Sequence, residues 1–228
     1  MRRMGLLCVA ATIVASGGCS DTEGSGAPAS DRRPGAVGAG GAGANLRSDD
    51  DFVQDVAIKN MTAIELSRLA VGKAGNSDIK SFAQVVMGDA DAAGQKLKSA
   101  APTASTSWPA ELDDAHRKTV EDLAAKHGVD FDREYVEAMI DGYQDLTAKL
   151  ESRLDVQSLA EWKTAVASRA ESKALPEPST ALHDVKLRPN RTANESSAHI
   201  NQWAADTYPV AQKRLDAART LQNAIKER

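Results

Sequence analysis

The chain has 228 residues, a net charge of −4 and only 4% aromatic residues. With no basic stripe and no aromatic platform, nucleic acid is not an expected partner. The two cysteines, Cys8 and Cys19, both lie near the N-terminus, which excludes a disulfide framework or a cysteine metal site in the body of the chain.

Met1-Arg2-Arg3 is a short basic start, and Met4 to Ala15 is a nearly unbroken apolar run. That run is about a dozen residues, too short for a bilayer span of roughly 20, but it has the length of a signal h-region. Ser16-Gly17-Gly18 and then Cys19 follow. The order resembles a bacterial lipoprotein signal peptide. The position three before the cysteine is usually Leu, Val or Ile in that pattern, and here it is Ser16. The resemblance implies that residues 1–18 are removed and that Cys19 becomes an acylated N-terminus holding the protein on a membrane. Ordinary secretory cleavage and an uncleaved anchor are the alternatives. The expected location is the bacterial envelope, facing the periplasm, with Ser20 favouring the outer over the inner membrane. Loss of Arg2 and Arg3 would take the net charge from −4 to −6.

Residues 19–47 are dominated by Gly, Ala, Ser and Pro. They carry too little apolar bulk to offset their ordering entropy and read as a flexible tether. A Gly-rich chain of that length spans on the order of 30 Å. Residues 48–228 are enough for one domain with a real core.

The periodicity there is helical. Ser48 with Asp49, Asp50 and Asp51 reads as a helix start, with acids at the positive end of the dipole. That helix runs to about Lys73, with Val53, Val56, Ala57, Met61 and Ile64 as inward candidates. Gly75-Asn76-Ser77 ends it and caps the next, Asp78 to Ala100, whose Ile79, Phe82, Ala83, Val86, Ala90, Ala93 and Leu97 follow a 3–4 spacing. Pro102 to Pro109 reads as a loop and Glu111 to His127 as a short helix ended by Gly128. A long helix begins near Asp130. Leu159 to Ala174 is a further helical stretch anchored by Trp162. Leu175 to Asn194 holds three prolines and cannot be one helix. An extended piece at Asp184 to Leu187 is the one candidate strand. The last helix runs from Glu195 to Lys226, and Pro209 inside it predicts a kink or break. The fold class is all-α, an up-down four-helix bundle with extra short helices.

Four stretches carry a family resemblance: Phe52-Val53 through Glu65-Leu66; Lys80-Ser81-Phe82-Ala83-Gln84; Phe131 through Met139; and Pro209 through Leu215. In order and spacing they resemble the bacterial domain-of-unknown-function family 4142, envelope proteins with a ferritin-like helical bundle. Ser152 to Asn194 then looks like an insertion before the last helix. The resemblance implies an interior place where related chains commonly carry three histidines. Here those positions are Ala90, Tyr143 and Arg214, leaving Glu65, Glu137 and Asp141 as carboxylates. A methyl, a phenol and a guanidinium offer no nitrogen donor to a metal. Arg214 is expected instead to pair with Glu65, Glu137 or Asp141. No metal and no cofactor are expected.

The histidines do not rebuild a site. Asp113 with His116 and Glu195 with His199 read as helix-surface polars, His127 as a helix-end residue, and His183 has no carboxylate at ligand spacing. No serine stands in a nucleophile-elbow setting. The expected function is a non-enzymatic, membrane-tethered lipoprotein that binds an envelope protein or cell-wall component, or serves as a structural module there. The alternative is a ferritin-like metal-binding or oxidant-handling protein with a carboxylate-only site at Glu65, Glu137 and Asp141.

Overall fold

A computed structural model describes residues 40–101, 108–171 and 186–227. Cys19, the expected signal peptide and the expected tether as far as residue 39 lie outside the described residues, as do residues 172–185 of the expected insertion. Six helices are described: α1 (Gly40–Lys73), α2 (Ser77–Ala100), α3 (Asp114–Ala124), α4 (Gly128–Glu151), α5 (Val156–Glu171) and α6 (Glu195–Lys226). None of the described helices is long and apolar enough to cross a membrane.

The first helix starts at Gly40, upstream of the Ser48 start read from the acidic run, so residues 40–47 are helical rather than tether. Asp49 therefore sits inside the helix. It is buried and forms an ion pair with Arg153, and it also accepts a hydrogen bond from the Ser197 hydroxyl. Arg153 in turn lies 4.3 Å over the Phe52 ring. A long-range partner, not the helix dipole, accounts for this acid.

Along α1 the buried stripe is Phe52, Val53, Val56, Ala57, Asn60, Leu66, Ser67 and Ala70, a 3–4 repeat. Met61 and Ile64, expected inward, are only half-buried because they fall to one side of that stripe. The α1–α2 turn is clamped from α4: the Asp132 carboxylate accepts the backbone N–H groups of Gly75 and Asn76, each at 3.0 Å. The Asn76 side chain then caps α2 at the Asp78 N–H. Gly128 opens α4 at φ 57°, in the left-handed region that favours glycine. His127 stands at the N-cap of α4, not at the end of α3 as the sequence suggested.

Side-chain pairs fix the helix directions. Residues 49, 59 and 67 of α1 meet residues 153, 145 and 135, so α4 runs antiparallel to α1. The short turn at 74–76 makes α2 antiparallel to α1 as well. Ser197 at the start of α6 meets Asp49 of α1, and Trp203 and Arg214 of α6 meet Ala93 and Asp89 of α2, so α6 runs antiparallel to α2. Tyr208 also meets Glu151 across α6 and α4. Phe52 packs edge-on against Trp203. The order is thus up, down, down, up, with α1 parallel to α6 across the bundle. This corrects the plain up-down expectation: the link from α2 to α4 carries α3 and returns the chain to the end where α2 began.

The core is shared by all four long helices. Tyr135 and Tyr208 are fully buried, and burial of such side chains contributes about 1.5–3 kcal/mol each. The Tyr135 hydroxyl is satisfied by Ser67 at 2.9 Å. Trp162 on α5 packs edge-on to Tyr208 at 5.3 Å, which ties the expected insertion to the bundle. Helix α6 is continuous through Pro209, so the expected break does not occur. Tyr208 and Ala211 on either side are buried and hold the helix together there. Residues 186–188 form no strand. Among the described residues an antiparallel bridge joins Leu154 to Pro189, and backbone bonds from Asp155 to Arg188 and from Asn190 to Arg153 fasten the returning segment to the α4–α5 corner.

Candidate functional site

Small residues on facing helices leave space inside the bundle. Ala63, Ala90, Ala93, Ala138 and Ala211 line a cavity of about 420 Å³ between α1, α2, α4 and α6, with His116 and Thr119 of α3 at one side. A larger side chain at any of these positions would occupy part of it. The size falls in the range of small-molecule pockets.

The charged groups around it are mostly matched. Asp89 lines the cavity and accepts a 2.6 Å hydrogen bond from Arg214 Nε. Lys59 and Asp145 both line it and pair at 3.5 Å. Glu134 pairs with Lys126, which lies outside the lining, at 3.5 Å. His116 holds Asp113 at 2.8 Å, and the backbone N–H of His116 draws the Asp113 carboxyl below its usual value of 3.8. Glu137 and Asp141, one turn apart on α4, are exposed at the cavity rim. They have no ion-pair partner among the described residues.

Two interior polar groups are distinctive. Tyr143 is buried, and burial pushes its phenol well above the usual value of 10. Tyr135 and Asp89 push the same way and Arg214 opposes them. Tyr143 therefore remains a neutral phenol across the physiological range. Asn60 is 7% exposed and its Nδ2 has no hydrogen-bond partner among the described residues.

The structure brings together part of the constellation expected from sequence. Ala90, Tyr143, Glu137 and Asp141 line one cavity, and Arg214 reaches its wall through Asp89. Glu65 does not line it. Glu65 is half-buried on α1 and pairs with Arg68 at 2.5 Å. The expected partners of Arg214 are likewise corrected: the guanidinium bonds to Asp89, because α6 runs beside α2 at this level. Asp89 was readable as the residue preceding Ala90, but nothing in its own spacing marks its partner. Asn60 carried no sequence signal beyond its place on the buried stripe of α1.

A metal centre of the ferritin-like kind does not fit these residues. Such sites need several inward carboxylates and imidazoles converging on one point. Here a guanidinium occupies one carboxylate, a neutral phenol and a methyl stand alongside, and two acids face outward. Among the described residues no group of three His, Cys, Asp or Glu side chains is placed to hold a metal ion.

The family model described as "Domain of unknown function (DUF4142)" matches residues 35–172. The match takes in α1 to α5, including the first part of the segment expected to be an insertion, and α6 lies beyond it. No curated protein and no solved structure matches the chain. The chain belongs to this domain-of-unknown-function family.

Proposed function

We propose, from this membership and from the cavity, that the chain is a membrane-tethered bacterial envelope lipoprotein acting as a non-enzymatic binding module. Cys19 is the acylation site, and several acyl chains on it would anchor the protein nearly permanently. The folded part faces the periplasm, with the outer membrane favoured by Ser20, and its partner is an envelope protein or cell-wall component. The up-down-down-up helix order with a single crossover supports a ferritin-like bundle. The observation that carries the non-enzymatic reading is the Arg214–Asp89 pair beside Tyr143. Charge that a ferritin-like site would balance with a metal is balanced here by a side chain.

Two measurements test this. Cys19→Ser should abolish incorporation of labelled palmitate and release the protein from the membrane fraction; continued sedimentation with membranes refutes the anchor. Elemental analysis of protein purified without chelator should find well under one metal ion per chain. A content of one or more, with iron-dependent peroxide consumption, would overturn the non-enzymatic reading.

A further inference from the structure

We infer that the interior cavity takes a small neutral secondary amide, its carbonyl accepting from the Tyr143 hydroxyl, its N–H donating to the Asn60 side-chain oxygen, and its hydrocarbon flanks lying on the alanine wall. The inference rests on the binding-module reading and names the ligand chemistry for it.

Tyr143 carries the argument. The chain has three tyrosines, all buried. The hydroxyls of Tyr135 and Tyr208 are bonded to Ser67 and Glu151. Tyr143 is 8% exposed and lines the cavity. Its hydroxyl makes no hydrogen bond with a described residue, and it is not walled off from water. Asp89 and Arg214 lie nearby but satisfy each other. Burial raises the Tyr143 pKa, so the phenol keeps its proton and stays a donor.

Asn60 supplies the opposite group. The pairs Lys59–Asp145 and Ser67–Tyr135 set α1 and α4 in antiparallel register, which puts Asn60 across from Tyr143. The Asn60 Nδ2 is sealed on the side of Gly94, where an added Cβ would stand 3.9 Å away. The Oδ1 is left toward the cavity, and it accepts no hydrogen bond from a described residue. A donor on one helix thus faces an acceptor on another at one level. A trans amide points its C=O and N–H in opposite directions and can meet both. An alcohol must serve both from one oxygen, and an ester or ketone meets only the donor. Both interior groups are neutral. The lining cations Lys59 and His116 already face Asp145 and Asp113, so an anionic ligand finds no free counter-charge. Ala63, Ala93, Met139 and Leu146 present carbon surface, which favours hydrocarbon beside the amide over a hydroxyl-covered sugar.

The test uses the full chain in a neutral maltoside detergent. Free probe is fixed by equilibrium dialysis, so micelle uptake cancels, and the methyl NMR signal of Met139 reads occupancy. N-benzylacetamide carries both polar features, and benzyl acetate replaces its N–H with oxygen. The amide should bind about threefold to tenfold tighter than the ester. An unselective apolar pocket gives the reverse order, because the ester sheds less bound water on entry. The methyl glycoside of N-acetylglucosamine, with the same amide among hydroxyls, should bind more weakly than N-benzylacetamide. Asn60→Leu should bring the amide down to the ester and leave the ester unchanged, whereas Asn60→Asp, which keeps an acceptor, should retain the preference. Tyr143→Phe should weaken amide and ester alike by a few-fold. Both Asn60→Leu and Tyr143→Phe nearly preserve side-chain volume, and circular dichroism checks their fold. The inference is overturned if the ester binds as tightly as the amide, if the sugar binds more tightly than N-benzylacetamide, if the preference survives Asn60→Leu, if Tyr143→Phe changes nothing, or if no probe binds at millimolar concentration. Since the assay reads purified protein, such a failure leaves the Cys19 anchor standing, and continued sedimentation of Cys19→Ser with membranes leaves the cavity inference standing.

Discussion

The Arg214–Asp89 pair offers the sharpest energetic test of the bundle interior. The Arg214 side chain is 17% exposed and that of Asp89 is 32% exposed. Removing one partner of a fully buried pair costs about 3–5 kcal/mol, whereas exposed pairs contribute about 0–1. At these exposures a loss of about 2 kcal/mol is expected for either single substitution. The two are not equivalent. Asp89→Leu leaves the more buried guanidinium without its acceptor, next to the neutral Tyr143. Arg214→Leu leaves a carboxylate that water still reaches. Asp89→Leu should therefore be the more damaging. For a domain of this size, about 2 kcal/mol corresponds to a fall in Tm of roughly 4–8 °C. In the double variant no charge is left uncompensated, so stability should return toward the parent, with a coupling of about 3 kcal/mol. Urea unfolding followed by circular dichroism measures all four corners of the cycle. If the two losses simply add, the pair contributes nothing and the account of this interior is wrong.

Asp132→Ala should destabilise by about 2 kcal/mol, because it removes two charge-assisted bonds to the α1–α2 turn that water replaces only in part. Amide exchange at Gly75 and Asn76 should quicken, and unchanged protection there would contradict the clamp. Asp49→Ala should cost about 3 kcal/mol, since it leaves Arg153 without that carboxylate in a mostly buried place, partly offset by the Phe52 ring. A chemical-denaturation loss under 0.5 kcal/mol would refute the network. Asp113 and Asp155 should both titrate below 3.8, held down chiefly by the backbone N–H groups of His116 and Ser158. Their folded values lie below the unfolded ones, so the stability they add is present above about pH 4 and lost as pH falls through the folded values. Loosening at the starts of α3 and α5 should begin in that acid window. Carboxyl carbon NMR titration finding either group at or above 3.8 would exclude it.

The parts of this molecule legible in its sequence are those governed by local periodicity. The 3–4 spacing of Ile79, Phe82, Ala83, Val86, Ala90 and Leu97 places all six on the buried face of α2, because burial of a helix is decided by a stripe that repeats along the chain. What escaped depends on groups far apart in sequence. The acids at 49–51 look like a helix start because acids commonly stabilise that end. Only the arrival of Arg153 and Ser197 makes Asp49 an interior residue. Likewise Pro209 has an intrinsic cost in any isolated helix, and Tyr208 with Ala211 overrides it through packing that the local sequence does not show.

The interior site follows the same division. Its small residues could be read as close-packing alanines, and along α2 they do serve the core. Yet four helices each contribute a small side chain at one level, and the sum is a void rather than a tighter contact. That outcome requires knowing that α1 and α6 run parallel across the bundle and that α3 carries the chain back. Once the directions are set, Arg214 meets Asp89 instead of Glu65, and Glu137 with Asp141 are turned to the rim. The same sequence with α4 reversed would set Glu137 and Asp141 at a different level of the bundle from Asp89. The charge imbalance at the rim is therefore a product of topology. It should move with the helices, not with the local sequence, in any chain that keeps these residues.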